Sequence, residues 1–222
     1  MDQVRIIDVK EDILADNGAM ADELRSRLKK QGLFLVNLMA SPGAGKTSFL
    51  LKTAALLSEK FEMGVLEADI ESSVDGEKMA AAGLPVIQLR TGGFCHLDAS
   101  MVISGLDEMN LEKLNIIFIE NVGNLVCPAE FDTGAHLNMM IASLPEGDDK
   151  PLKYPLMFSV CDIIIVNKTD MQTLCDFNLE RFTDHVRRVN SRAAIIPVSC
   201  TTGEGFQDWI AALDNKINGF QK

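Results

Sequence analysis

The run LFLVNLMA, residues 33–40, is apolar except for one asparagine and empties directly into SPGAGKT, residues 41–47. A strand of that kind is covered on both faces, which points to a parallel sheet between layers of helices. The glycines after it let the backbone fold so that successive N–H groups face one point, and a helix opening near Lys46 adds the positive end of its dipole. Written from Ala40 to Thr47, ASPGAGKT fits the phosphate-loop pattern except that Ala40 replaces its first glycine. Pro42, Gly43, Ala44, Gly45 and Ser48 would line the cradle. Lys46 would reach the β- and γ-phosphates, and Thr47 would offer its hydroxyl to Mg²⁺.

The rest of the chain alternates short β-rich runs with helical patterns, the sequence form of an α/β fold. Strands are expected at 33–39, 64–68, 85–89, 115–120, 137–143, 162–167 and 193–199, and helices at 45–58, 98–109, 178–189 and 204–217. Ile13, Met20, Leu24 and Leu28 recur at helical spacing before Gly32, which predicts an N-terminal helix over about 11–31. The expected architecture is a P-loop NTPase, a mostly parallel sheet with helices on both faces, in one domain spanning 1–222. In such folds ligands bind at the carboxyl ends of the strands.

Bulk properties narrow the partners. With 47% hydrophobic and 24% charged residues, the composition is that of an ordinary globular chain. No apolar run approaches the roughly 18 residues of a membrane span, and MDQVRIIDVKEDILADNG lacks a signal-peptide core, so a cytoplasmic protein is expected. A net charge of −11 argues against nucleic acid and suits cations. The five cysteines form no CxxC and are odd in number, which fits a reducing compartment.

Asn167, Lys168 and Asp170, in NKTD after another strand, resemble the base-reading motif of GTPases. There the Asp carboxylate accepts from guanine N1 and N2 while the Lys stem lies along the base. A site built on such polar contacts rejects the wrong base by roughly 10⁴-fold, because a buried carboxylate would go unpaired. Ser199 and Cys200 resemble the loop that backs the guanine with main-chain amides. IIFIENVG, 116–123, ends in Glu120 and Gly123, where a GTPase needs an acid near Mg²⁺ and a glycine near the γ-phosphate. Asp69 and Asp75 follow the second strand. Either could hold Mg²⁺ or orient the attacking water, and Asp75 or Ser72 could equally cap a helix.

Cys95 and His96 stand side by side after the third strand, and Cys127 follows the fourth. Thiolate and imidazole suit Zn²⁺ and Ni²⁺, not Mg²⁺. One chain supplies three such ligands, leaving the fourth to water or to a second subunit of a symmetric dimer. Packing is the other reading, since cysteine is among the most buried residues. Cys161 and Cys175 are read as packing, and His136 and His185 show no partner in the sequence.

Taken together, ASPGAGKT, GGFCHLDASM, IENVGNLVCPAEFD, EGDDKPLKYPLMF and NKTD resemble the HypB family of nickel-insertion GTPases that mature [NiFe]-hydrogenase. The resemblance runs from about Leu33 to Leu213. It implies a SIMIBI-type G domain that binds GTP and GDP with Mg²⁺, hydrolyses GTP and forms a GTP-dependent homodimer. Cys95, His96 and Cys127 match the family's interface site for Ni²⁺ or Zn²⁺. It implies a HypA-type nickel accessory protein and the hydrogenase large subunit as partners. The chain departs from some members in having neither a cysteine-rich N-terminal nickel motif nor a histidine-rich tract, so storage of many nickel ions is not expected. The urease GTPases (UreG) carry Cys-Pro-His, whereas Cys95 and His96 are adjacent. Three competitors stay open: a nickel or zinc GTPase serving urease or another enzyme, a signalling switch whose Cys95 and Cys127 only pack, and a small-molecule kinase.

Overall fold

The computed structural model describes residues 9–221. Among the described residues seven strands form one sheet, and every pairing in it is parallel. They are β1 (Phe34–Ala40), β2 (Met63–Asp69), β3 (Val86–Arg90), β4 (Ile116–Glu120), β5 (Leu137–Ser143), β6 (Ile163–Asn167) and β7 (Ala194–Pro197). Their spatial order is β3-β2-β4-β1-β5-β6-β7. From β1 the chain runs out to β2 and β3, returns with β4 between β2 and β1, then crosses to build β5 to β7 on the other side, and because all strands are parallel the loops after β1, β2, β4, β5 and β6 lie along one edge. That is the topological switch point where such sheets bind ligands.

The alternation of side chains across each strand feeds two cores. Phe34, Val36 and Leu38 of β1 join Ile116 and Phe118 of β4 beneath α2 (Lys46–Leu57) and α8 (Phe206–Phe220). Leu35, Ile117 and Ile119 face the other way, toward α1 (Val9–Gln31) and α4 (Ala99–Asp107). Met39, Met140, Ile164 and Val166 continue that second face under α6 (Pro155–Ser159) and α7 (Leu179–Val189). All seven expected strands are present within a residue or two, and Gly45 to Leu57, Asp98 and Asn178 bracket helices where the pattern placed them. Asp98 and Asn178 cap α4 and α7 by accepting from the N–H three residues on.

Three helices are additional to the sequence expectation: α3 (Val74–Ala81), α5 (Lys150–Lys153) and α6. The last two are short turns opened by Pro151 and Pro155, too brief for a 3.6-residue period to show. The N-terminal helix is present, but Met20 is 39% exposed and Ala21 takes the inward position beside Leu24 and Leu28. The Ile13 side chain lies outside the described residues. Asn17 ties α1 to the rest, donating to the Asp132 carbonyl and accepting from the Ala99 N–H, both at 2.9 Å.

A fully buried tryptophan joins α8 to α2. Trp209 is wholly buried, lies 5.1 Å from the Phe49 ring, and donates through Nε1 to Thr53 Oγ1 at 3.0 Å. Trp209→Ala should cost about 3–5 kcal/mol, read as a lower urea midpoint with an unchanged denaturant slope.

Candidate nucleotide and metal site

Ala40 is the last residue of β1 and is fully buried in the core, so the side chain that breaks the phosphate-loop pattern belongs to the strand and not to the loop. The turn itself is carried by Gly43 and Gly45, at φ +76° and +102°. Gly45 is irreplaceable on a second count, because a Cβ there would stand 2.6 Å from Asn167 Nδ2. Lys46, Thr47 and Ser48 form the first turn of α2, which opens its N-terminus onto the loop. Gly123 lies against it from the far side, where an added Cβ would meet Pro42 at 3.0 Å. Glu146, which sequence reasoning missed, accepts from the Ser41 hydroxyl and from the Ser143 N–H and hydroxyl, with Lys150 Nζ 3.6 Å away.

The NKTD turn is bonded to the phosphate loop. Asn167 Nδ2 donates to the Ala44 carbonyl at 2.9 Å, and Lys168 Nζ to the Gly43 carbonyl at 2.7 Å. Lys168 is itself left-handed at φ +65°, which turns the chain so that both side chains reach back. Asp170 accepts from the Ser199 hydroxyl at 2.6 Å and is held facing a cleft of about 230 Å³ that Gly45, Lys168 and Cys200 also line. The Ser199 and Cys200 amides, expected to back a base, are already used. Ser199 N–H donates to the Glu204 carbonyl at 3.0 Å and Cys200 N–H to Asn167 Oδ1 at 3.4 Å. The contribution of Ser199 is its hydroxyl, which orients Asp170.

Carboxylates collect on the other side of the loop. Thr47 Oγ1 donates to Glu120 Oε1 at 2.9 Å, and Glu120 Oε2 is buried without a hydrogen-bond partner. Strand register sets Glu67 beside Glu120 and Gln88 beside Glu67, three polar residues in a row near the ends of β4, β2 and β3. Glu67 was not anticipated. It is 4% exposed, Glu120 is 3% exposed, and Glu67 Oε2 likewise has no partner. Burial pushes both carboxyls from 4.5 up to about 7, with the Glu120 charge adding to the rise at Glu67. Lys46 and the Thr47 hydroxyl pull Glu120 partly back. Gln88 eases the ionisation of Glu67 although its amide makes no hydrogen bond of ordinary geometry.

Asp69 and Asp75 add their charge to this pocket but differ in their engagement. Asp69 Oδ1 accepts from the N–H groups of Glu71 and Ser72 and closes the turn after β2. Asp75 lies in the first turn of α3 and pairs with Lys78 at 2.8 Å. It does not cap the helix; the Ser72 hydroxyl accepts from the Val74 N–H at 3.2 Å instead. The half-buried Thr47 hydroxyl beside orphaned carboxylate oxygens is a hard donor set of the kind Mg²⁺ takes.

The third cluster is soft. Cys95, His96 and Cys127 offer three donor atoms within 4.8 Å of one another. Cys95 Sγ is 2.8 Å from Cys127 Sγ and 3.9 Å from His96 Nδ1. The neighbouring Cys127 sulfur holds the Cys95 thiol above its usual 9.0, and burial keeps His96 below its usual 6.5, so the imidazole is neutral and able to ligate. The His96 ring stacks on Phe131 with centroids 3.8 Å apart, and Asn124 Nδ2 donates to the Cys95 carbonyl at 3.2 Å, which fixes the two segments to each other. Phe94 and Val126 flank the cluster and are 57% and 52% exposed.

Other expectations resolve as packing. Cys161 is buried and Cys175 partly so, both against the α6–α7 core. His136 and His185 do have partners. His136 accepts from the Leu35 N–H at 3.1 Å and stacks on Phe34, and His185 Nδ1 contacts the Asp148 carbonyl at 3.1 Å.

Comparison with known proteins identifies the family of the chain. Residues 34–197 match the family model described as the CobW/HypB/UreG nucleotide-binding domain. The hydrogenase maturation factor HypB of Azotobacter vinelandii is 42% identical over 97% of this chain and 71% of its own length. The hydrogenase/urease maturation factor HypB of Helicobacter hepaticus is 41% identical over 87% of this chain and 81% of its own. The crystal structure of Helicobacter pylori HypB in complex with nickel superposes with a TM-score of 0.87 at 35% identity, covering 93% of this chain and 98% of that one. By its phosphate-loop sheet, its sequence and its overall shape, the chain belongs to the HypB family.

Proposed function

We propose that this protein is a GTP-hydrolysing metallochaperone that assists nickel insertion during [NiFe]-hydrogenase maturation. The observation that carries the reading is continuity. One segment of eight residues runs from Glu120, hydrogen-bonded to Thr47 of the phosphate loop, to Cys127, 2.8 Å from Cys95. A change at the γ-phosphate is therefore transmitted along a single short loop to the soft cluster.

In this reading residues 42–48 cradle the phosphates, Lys46 stabilises charge on the γ-phosphate, and the Gly123 segment closes over it. Thr47 and Glu120 would hold Mg²⁺, which would supply positive charge against the charge that develops on hydrolysis. Asp69, at the end of β2, and Asp75, in the first turn of α3, are the two acids available to orient the attacking water. Asp170, steadied by Ser199, reads the guanine edge, with Lys168 and Asn167 fixing its turn and Cys200 lining the cleft.

Nickel is the cargo, with zinc as the other ion this donor set accepts. Cys95, His96 and Cys127 supply three ligands, and the exposed Phe94 and Val126 around them suit a second copy of the chain, so closure of a GTP-dependent homodimer completes the site. A HypA-type accessory protein delivers the metal and the hydrogenase large subunit receives it. The thiols require a reducing compartment, in keeping with the cytoplasm. Among the described residues no helix is long and apolar enough to cross a membrane. The Helicobacter hepaticus relative, whose name includes urease, favours urease as a second client. Copurification with each apoenzyme separates the two.

Calorimetric titration of Ni²⁺ and Zn²⁺, with GDP and then with a non-hydrolysable GTP analogue, should show affinity that changes with nucleotide while light scattering reports a dimer. Cys95→Ala and Cys127→Ala should each abolish the nucleotide-dependent component. Affinity should fall in acid, because a thiol held above its usual range must lose its proton to bind. Nickel affinity unaltered in both variants would defeat the coupling.

A second expectation concerns the metal-free protein. Glu67 and Glu120 stay protonated in the native state up to about 7, whereas in the unfolded chain they titrate near 4.5. Their contribution is thus fully present below the unfolded value and is lost as pH rises through the folded one. Urea unfolding in chelator should show the wild type losing stability relative to Glu120→Gln between about pH 5 and about pH 8. A pH-independent difference would mean that Glu120 is ionised in the native state.

A further inference from the structure

Resting on the reading that Thr47 and Glu120 hold a divalent cation, we propose that Glu67 is a positioning residue for that cation, sharing its charge from β2 and fixing Glu120 at the phosphate loop. The placement of Glu67 is otherwise hard to account for. Val65 and Glu67 point to the same face of β2, and Val65 lies in the core beneath α2 and α3. An acid one step along that face forfeits hydrophobic burial and loses its hydration. The register pairs it with Glu120, so the fold has set two acids side by side and 4% and 3% exposed.

Each acid retains one oxygen without a donor, Glu67 Oε2 and Glu120 Oε2. These are unpartnered groups more than nine-tenths buried, and Glu120 joins the pair to the phosphate loop by accepting from the Thr47 hydroxyl. The pocket is closed on the side of β3. Gly76 of α3 lies so near Gln88 that a Cβ there would come within 2.5 Å of its Oε1, so α3 caps the end of the Gln88–Glu67–Glu120 row. At the other end of the row Glu120 is joined to the phosphate loop by the Thr47 hydroxyl. From its place in the sheet Glu67 acts through Glu120 and the cation's water shell. Residues of that kind govern how tightly a metal is held more than whether nucleotide binds.

The test uses the full chain with GDP and follows Mn²⁺, as a Mg²⁺ stand-in, by electron paramagnetic resonance. Nucleotide affinity is measured separately in chelator. Glu67→Gln should weaken Mn²⁺ by roughly 10–100-fold and leave GDP affinity in chelator within about twofold of wild type. Glu67→Met, whose apolar chain suits that face of β2, is the second probe and should lose Mn²⁺ affinity at least as far. Neither variant should melt below the wild type without metal, since each removes a buried acid beside another. Unchanged Mn²⁺ affinity in either folded variant overturns the inference. If the wild-type GDP complex itself takes up no Mn²⁺, the cation reading of Thr47 and Glu120 fails first and this inference falls with it.

Discussion

The pairing of β1 with β4 is the contact on which the rest depends. It sets Leu38 opposite Glu120, so the strand that launches the phosphate loop and the strand that ends in an acid finish at the same level of the sheet. Thr47 then meets Glu120 within one turn of α2, and Gly123 meets Pro42 within three residues of β4. A one-residue slip would reverse the facing of every β4 side chain and bury Glu120 under α1 and α4 instead. The alternation of Ile116 and Phe118 toward one core with Ile117 and Ile119 toward the other makes that slip costly. Polar side chains lock the same register. Asn37, 2% exposed, links Asn121 after β4 to Asn138 of β5 through hydrogen bonds of 3.1 Å on either side.

Strands and loops were legible in the sequence for different reasons. Continuous apolar runs such as IIIV can be little else than strands covered on both faces, and glycine-rich or Asn/Asp-rich punctuation after them marks turns. Short helices were not legible. Lys150–Lys153 and Pro155–Ser159 are each about one turn, so their only signal is a proline at the start, and residues 74–81 hid behind acids that looked like ligands or caps. Met20 misled because spacing alone does not separate a large exposed side chain from a small buried one.

The candidate site was legible where chemistry forces a residue type and illegible where tertiary placement changes its meaning. Cys95, His96 and Cys127 were set apart in the sequence by the family resemblance alone, since a spacing of 32 residues does not reveal that they converge. Glu67 lay in view inside GVLEA, and Gln88 inside PVIQL. A charged or amide residue within an apolar strand is the signal that was available, since such groups are seldom buried without a purpose. Glu146 had none of that visibility, because its role comes from a capping turn that swings it onto Ser41.

The bonds from Asn167 to Ala44 and from Lys168 to Gly43 bear on the thermodynamics of nucleotide capture. They join the two walls of the cleft before any ligand arrives, so folding already meets most of the ordering entropy that a hinged cleft would meet at each encounter. Such a cleft cannot release its occupant by opening as a jaw.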